Sequence, residues 1–221
     1  GTIDTFGKII DGNGNIIKED FIINETIAGE QWPSEIKVIN SDKVLITHTS
    51  QGNTCVQIFS TAGESISGEM TLFSDRTISG INVEVVQDNE FIMTWSEEMA
   101  DETYTINTQR FDMTCAAISQ QRVISSGVID NTMTNHNGYV KPKVVMLENG
   151  GYAVTWSTLG ADHDSNGVYV QIFDDNGNNV SEIIKVNTTF LKGTGYHAQQ
   201  EITQLANGDI AITWCGVDSV S

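Results

Sequence analysis

The 221-residue chain predicts an all-β fold: a four-bladed propeller of four-stranded antiparallel blades. Three observations predict it. Four segments, Ile36 to His48, Val83 to Trp95, Val144 to Trp156 and Ile202 to Trp214, align without gaps on an apolar-Thr-Trp signature. Each has the pattern of two strands joined by a tight turn, and after three of them two further short strands follow within the chain. Finally, the ends are in register with the repeat. Gln171, which opens Gln-Ile-Phe-Asp-Asp-Asn-Gly-Asn, stands 15 residues after Trp156; running off the C-terminus from Trp214 and re-entering at Gly1 reaches Lys8, which opens Lys-Ile-Ile-Asp-Gly-Asn-Gly-Asn, after the same step.

Taken in order, residues 1–23 read as the outer strand pair of the last blade, with strands at Thr5 to Ile10 and Phe21 to Ile23. Blade 1 covers 34–73, blade 2 covers 81–124, blade 3 covers 141–187, and 199–215 form the inner hairpin of the last blade, all in one domain of 1–221. The hairpin turns are Asn207-Gly208 and Asn149-Gly150 in two copies, Asp88-Asn89 and Ser41-Asp42 in the others, all residue types that tolerate tight-turn backbone angles. Third strands end on a large apolar residue, as at Phe59, Phe111 and Phe173, and alternation such as Val168-Tyr169-Val170-Gln171-Ile172 suits half-buried antiparallel strands. The last blade closes on the chain's own N-terminal strands, or those strands complete the blade of a neighbouring chain and generate a homo-oligomer or head-to-tail filament.

Twenty-nine acidic residues against 11 basic ones give a net charge of −18, which repels phosphate backbones and anionic lipid and argues against nucleic-acid binding. No run of 18 apolar residues exists, so no membrane insertion is expected. Cys55, Cys115 and Cys215 lie at non-equivalent repeat positions, leaving one disulfide with a free thiol, or three thiols, equally open. His48, His136, His163 and His197 are not spaced as metal pairs, and none adjoins a nucleophile motif.

Asp162-His163-Asp164-Ser165-Asn166-Gly167-Val168 fits the first half of a calcium loop. Asp162, Asp164 and Asn166 would give side-chain oxygens and Val168 its carbonyl, although position 12 falls on Phe173, which has no carboxylate. The Asp11-Gly12-Asn13-Gly14-Asn15 and Asp174-Asp175-Asn176-Gly177-Asn178 runs sit where a hairpin turn is needed and read as turns without metal. Trp95, Trp156 and Trp214 recur at one repeat position, with His48 in the first unit, and read as packing between blades. Three sequons, at Asn24, Asn179 and Asn187, are candidate glycosylation sites, with Asn24 and Asn187 equivalent at the exposed end of a fourth strand.

The Asn-Gly turn, Thr-Trp strand end, Gln-x-Phe-Asp-x-x-Gly hairpin and Val-Asn-Thr exit resemble tandem repeats of about 50 residues in large secreted bacterial surface proteins. These include calcium-dependent adhesins of the repeats-in-toxin type. The resemblance spans nearly the whole chain and is strongest at Asn149 to Trp156, Val168 to Gly177, Val186 to Thr188 and Asn207 to Trp214. It implies an extracellular or cell-surface location and carries no catalytic residues. The resulting expectation is a non-enzymatic structural or assembly module, a protomer or segment of a surface fibre or adhesin linked by β-strand complementation. The alternative is a lectin-like or calcium-dependent propeller that binds glycans or another ligand.

Overall fold

The computed structural model describes residues 3–87, 89–100, 103–128, 141–159, 166–188 and 200–214. They form sixteen strands and no helix. A hairpin, β1 (Phe6–Ile10) and β2 (Ile16–Ile22), is followed by three four-stranded antiparallel sheets and a final hairpin. The first sheet is β3 (Gln31–Asn40), β4 (Lys43–Ser50), β5 (Asn53–Ser60) and β6 (Met70–Phe73). The second is β7 (Thr77–Gln87), β8 (Glu90–Glu98), β9 (Thr103–Asp112) and β10 (Arg122–Val128). The third is β11 (Lys143–Met146), β12 (Tyr152–Leu159), β13 (Asn166–Phe173) and β14 (Ile184–Lys185), and the final hairpin is β15 (Glu201–Gln204) and β16 (Ile210–Thr213). Strands run in sequence order across each sheet, as expected of blades built from consecutive hairpins.

The first strands of the repeats touch in series: β3 lies against β7, β7 against β11 and β11 against β15. They are therefore the inner strands of an arc of sheets. The apolar core lies in the layers between successive sheets. Leu45, Val56 and Phe73 of the first sheet meet Phe91, Met93, Trp95 and Phe111 of the second. Ile92, Tyr104 and Ile106 of the second meet Val154, Trp156 and Phe173 of the third. The third sheet then packs through Ala153 and Val170 on Ile202, Ile210 and Ile212 of the last hairpin, while Phe21 and Ile23 of the N-terminal segment pack on Phe59 of the first sheet. Trp95 and Trp156 are buried between sheets, Trp95 with its ring centroid 4.8 Å from that of Phe73, as the packing role predicts. Trp214, at the end of the final two-stranded hairpin, is 36% exposed.

The completed last blade expected from the circular register is not formed as one sheet. The β1–β2 and β15–β16 hairpins are separate two-stranded sheets, and no ladder joins them among the described residues. They occupy the two ends of the arc, β1–β2 against the first sheet and β15–β16 against the third.

The turns after β1, β9 and β13 share one solution, an Asp carboxylate where Ser60 opens the turn after β5. An Asp11 carboxylate oxygen accepts the N–H groups of Asn13 and Asn15, and Asp174 does the same for Asn176 and Asn178. Asp112 accepts from Thr114 and Ala116. Gly14, Gly63 and Gly177 take φ of 88°, 78° and 79° in these turns, and Cys115 takes 65° at the equivalent place in the second sheet.

Candidate functional site on the inner strands

The inner strands carry the residues that the repeat alignment stops one short of. Glu35, Asn82, Lys143 and Glu201 immediately precede the four aligned segments, and each lies opposite the Thr of the Thr-Trp signature: Thr47, Thr94, Thr155 and Thr213. Four repeats thus deliver one polar side chain each, from β3, β7, β11 and β15. Asn82 Nδ2 donates to Glu35 Oε1 at 2.9 Å, and its Oδ1 accepts the Val144 backbone N–H at 2.8 Å, so one amide links three inner strands. Lys143 Nζ stands 3.9 Å from Glu35 Oε1 and 3.2 Å from Glu201 Oε1. Lys37 and Glu84, two residues further along β3 and β7, pair at 2.6 Å.

The two carboxylates differ in environment. The Glu35 side chain is 20% exposed and held by Asn82, whereas that of Glu201 is 69% exposed. Such a pair, one fixed and one open to solvent, has the parts for acid–base work on a bound polar molecule. A cleft of about 220 Å³ between the second and third sheets is lined by Arg110, Arg122, Thr108, Ser119, Tyr152 and Asn176 among others. No carboxylate lines it, so it offers no such pair.

The residues singled out by sequence are scattered. Asp162 and Asp164 lie outside the described residues; Asn166 opens β13. Val168 is buried in β13, and its carbonyl accepts the Val186 N–H at 2.7 Å. Asn24 and Asn187 are not at an exposed strand end: each is 3% exposed. Asn24 Oδ1 accepts the Thr5 N–H and its Nδ2 donates to Asp4 and the Thr26 carbonyl, while Asn187 Oδ1 accepts the Val168 N–H at 2.8 Å. The repeat equivalence of these two asparagines is therefore structural, each amide capping the start of a third-strand ladder. Asn179 is exposed in the turn after β13. Cys55 and Cys115 are both free thiols, with burial pushing Cys55 up to about 11 and Cys115 up to about 12.

His48, the exception among the tryptophans, is fully buried opposite Cys55, and its Nε2 lies 3.2 Å from Glu69 Oε2. Burial works to raise the Glu69 carboxyl, but hydrogen bonds from Thr26, His48 and Glu25 outweigh it and hold the group below its ordinary range.

No protein-family model matches the chain, and no curated protein sequence matches it. Among solved structures, the endo-arabinase from Bacteroides thetaiotaomicron VPI-5482 is similar at a TM-score of 0.51 and 12% identity, over 96% of this chain and 88% of that one. An exo-1,5-alpha-L-arabinanase from a bovine ruminal metagenomic library aligns at a TM-score of 0.39 and 12% identity, over 87% of this chain and 76% of that one. At this identity the endo-arabinase likeness defines a class by fold alone: the chain has a β-propeller fold of the kind found in that enzyme. The expectations of a non-enzymatic module and of a fibre or adhesin segment joined by strand complementation are corrected by this finding. They rested on the circular register, the lack of a recognisable chemical motif and the resemblance to surface-protein repeats, and the same architecture occurs in an endo-arabinase.

Proposed function

We propose that the chain is a carbohydrate-processing propeller of the glycoside hydrolase type, with its site on the inner strands at Glu35, Asn82, Lys143 and Glu201. The observation that carries this is the pair of glutamates from the first and last repeats bracketing the Lys143 ammonium. Cleavage of a glycosidic bond needs two carboxyl groups flanking it, one protonating the leaving oxygen and the other acting as base or nucleophile. The two Lys143 contacts put an upper limit of about 7 Å on the distance between the Glu35 and Glu201 oxygens, below the longest carboxyl separation of about 9.5 Å that inverting enzymes use. Lys143 sets their spacing, and Asn82 fixes the Glu35 orientation.

The fold-level likeness to an endo-arabinase makes arabinan the first polymer to try. The same reading takes the arc as a four-bladed propeller in which β1–β2 is the outer pair and β15–β16 the inner pair of the last blade. Release of reducing ends from a panel of arabinan, xylan, galactan and pectin tests the proposal. The expected result is release from at least one polymer, reduced about 10²-fold or more in Glu35→Gln and in Glu201→Gln. Folded protein that releases nothing from any of them, or variants as active as wild type, would remove the reading.

A further inference from the structure

One position in the first sheet departs from the other repeats together with its neighbours across two strands. In the second sheet the three places are Trp95, Asn107 opposite it and Gln121 ahead of β10, where the two amides bond each other at 2.8 Å. In the third sheet Trp156 faces Tyr169, and their rings stack. In the first sheet the same three places hold His48, Cys55 and Glu69. An aromatic-amide layer is replaced by an imidazole, a thiol and a carboxylate, three side chains that each offer a metal-ligating atom.

The geometry gathers them. His48 Nε2 is 3.2 Å from Glu69 Oε2, Cys55 Sγ is 4.0 Å from Glu69 Oε1, and the donor atoms of the three all lie within 4.8 Å of one another. Tetrahedral zinc, with bonds of about 2.3 Å to sulfur and about 2.0 to 2.1 Å to nitrogen and oxygen, needs ligand atoms about 3.3 to 3.6 Å apart. A contraction of under about 1.5 Å in the longest separation closes the set, within reach of side-chain rotation. His48 and Cys55 are 0% and 1% exposed, so their donor atoms are shielded from bulk solvent, while Glu69, with its side chain 10% exposed, marks the way in. His48 Nδ1 is buried with no hydrogen-bond partner among the described residues, so the ring is incompletely satisfied by protein contacts.

We propose that His48, Cys55 and Glu69 form a binding site for a zinc-class divalent cation, with a fourth position open to water. The charges suit burial: a thiolate and a carboxylate neutralise a divalent ion, and the imidazole ligates neutral. Binding releases the Cys55 thiol proton to solvent, and the hydrogen of the His48 ring resides on Nδ1 when Nε2 ligates. The nitrogen-sulfur-oxygen donor set selects borderline metals such as zinc over calcium or magnesium, which prefer all-oxygen sites. Glu69 also accepts the Glu25 N–H at 2.9 Å and the Thr26 hydroxyl at 2.9 Å, so the ion would fasten the segment after β2 to the first sheet. This site shares no residue with the inner-strand carboxylates and does not depend on the proposed hydrolysis.

Cobalt substitution tests it. Chelator-treated full chain titrated with Co²⁺ should develop a thiolate-to-metal charge-transfer band that saturates at one equivalent and is bleached by Zn²⁺. The band should survive in a Cys115→Ser/Cys215→Ser double variant and vanish in Cys55→Ser, whose Zn²⁺ affinity should fall at least tenfold in a competition assay. His48→Gln should weaken binding similarly. Folded wild type without a band at excess Co²⁺, or a band lost in the double variant and not in Cys55→Ser, would overturn the proposal. Should Cys55→Ser fail to fold, the wild type and the double variant still decide it.

Discussion

Trp156 is 1% exposed between the second and third sheets, its ring stacked 6.0 Å from that of Tyr169. Trp156→Ala opens a cavity in that layer and should cost about 3 to 5 kcal/mol, read as a fall in the urea midpoint. Gly177 takes φ of 79° with the Tyr152 hydroxyl 3.3 Å from where a Cβ would sit. Gly177→Ala should therefore destabilise by about 1 to 2 kcal/mol, from left-handed strain first and crowding second. Asp174 carries a different kind of constraint: the Asn178 side chain, then the Asn178 backbone, hold its carboxyl below the ordinary range. A depressed carboxyl contributes stability above its unfolded-state value and loses it as pH falls through the folded one. The melting difference between wild type and Asp174→Asn should thus be constant near neutrality and close in acid, below the ordinary carboxylate range; a difference that widens in acid would contradict this assignment. His48 shows where residue-scale reading falls short. As a break in a tryptophan series it is visible in sequence, but Cys55 and Glu69 become its neighbours only through the β4–β5 and β5–β6 registers.

At the scale of the elements, turn chemistry was the clearest signal. Asn207-Gly208 joins β15 to β16 and Asn149-Gly150 lies between β11 and β12, with Gly208 and Gly150 at φ of 89° and 86° supplying the left-handed residue that closes each hairpin. The Asp-led turns after β1 and β13 are organised by carboxylate-to-amide hydrogen bonds, the ordinary work of Asp in such turns. The sequons illustrate the opposite case. Their spacing suggested a surface feature, yet Asn24 and Asn187 spend their amides on ladder starts inside the fold. Asn187→Ala leaves the buried Val168 N–H without that acceptor and should cost about 1 to 3 kcal/mol. Hydrogen exchange at the Val168 amide is the direct check: it should accelerate markedly in the variant, and unchanged protection would mean that another group takes over the bond. The inner-strand polar set was not legible for a related reason. Glu35, Asn82, Lys143 and Glu201 share a repeat position but no residue type, so no motif search finds them. The pairing of each with a signature threonine is what identifies them as equivalent.

For the whole molecule, repeat arithmetic predicts the series of sheets and their inner-to-outer strand order, both of which follow from consecutive hairpins twisting against one another. It does not predict how the ends meet, because β1–β2 and β15–β16 each find an apolar partner in a neighbouring sheet without pairing to each other. Nor does it reveal function: the same repeats suit a scaffold or an enzyme, and the proposed hydrolytic reading rests on the convergence of four inner strands on one carboxylate-bearing cluster. The most direct test of that claim is the product profile from arabinan, resolved by chain length, for wild type beside Glu35→Gln. The account predicts new shorter oligosaccharides from wild type and about 10²-fold less from the variant at equal folded concentration. Identical profiles from the two proteins, or an unaltered polymer with folded wild type, would contradict the assignment of the inner strands as a hydrolytic site for this polymer.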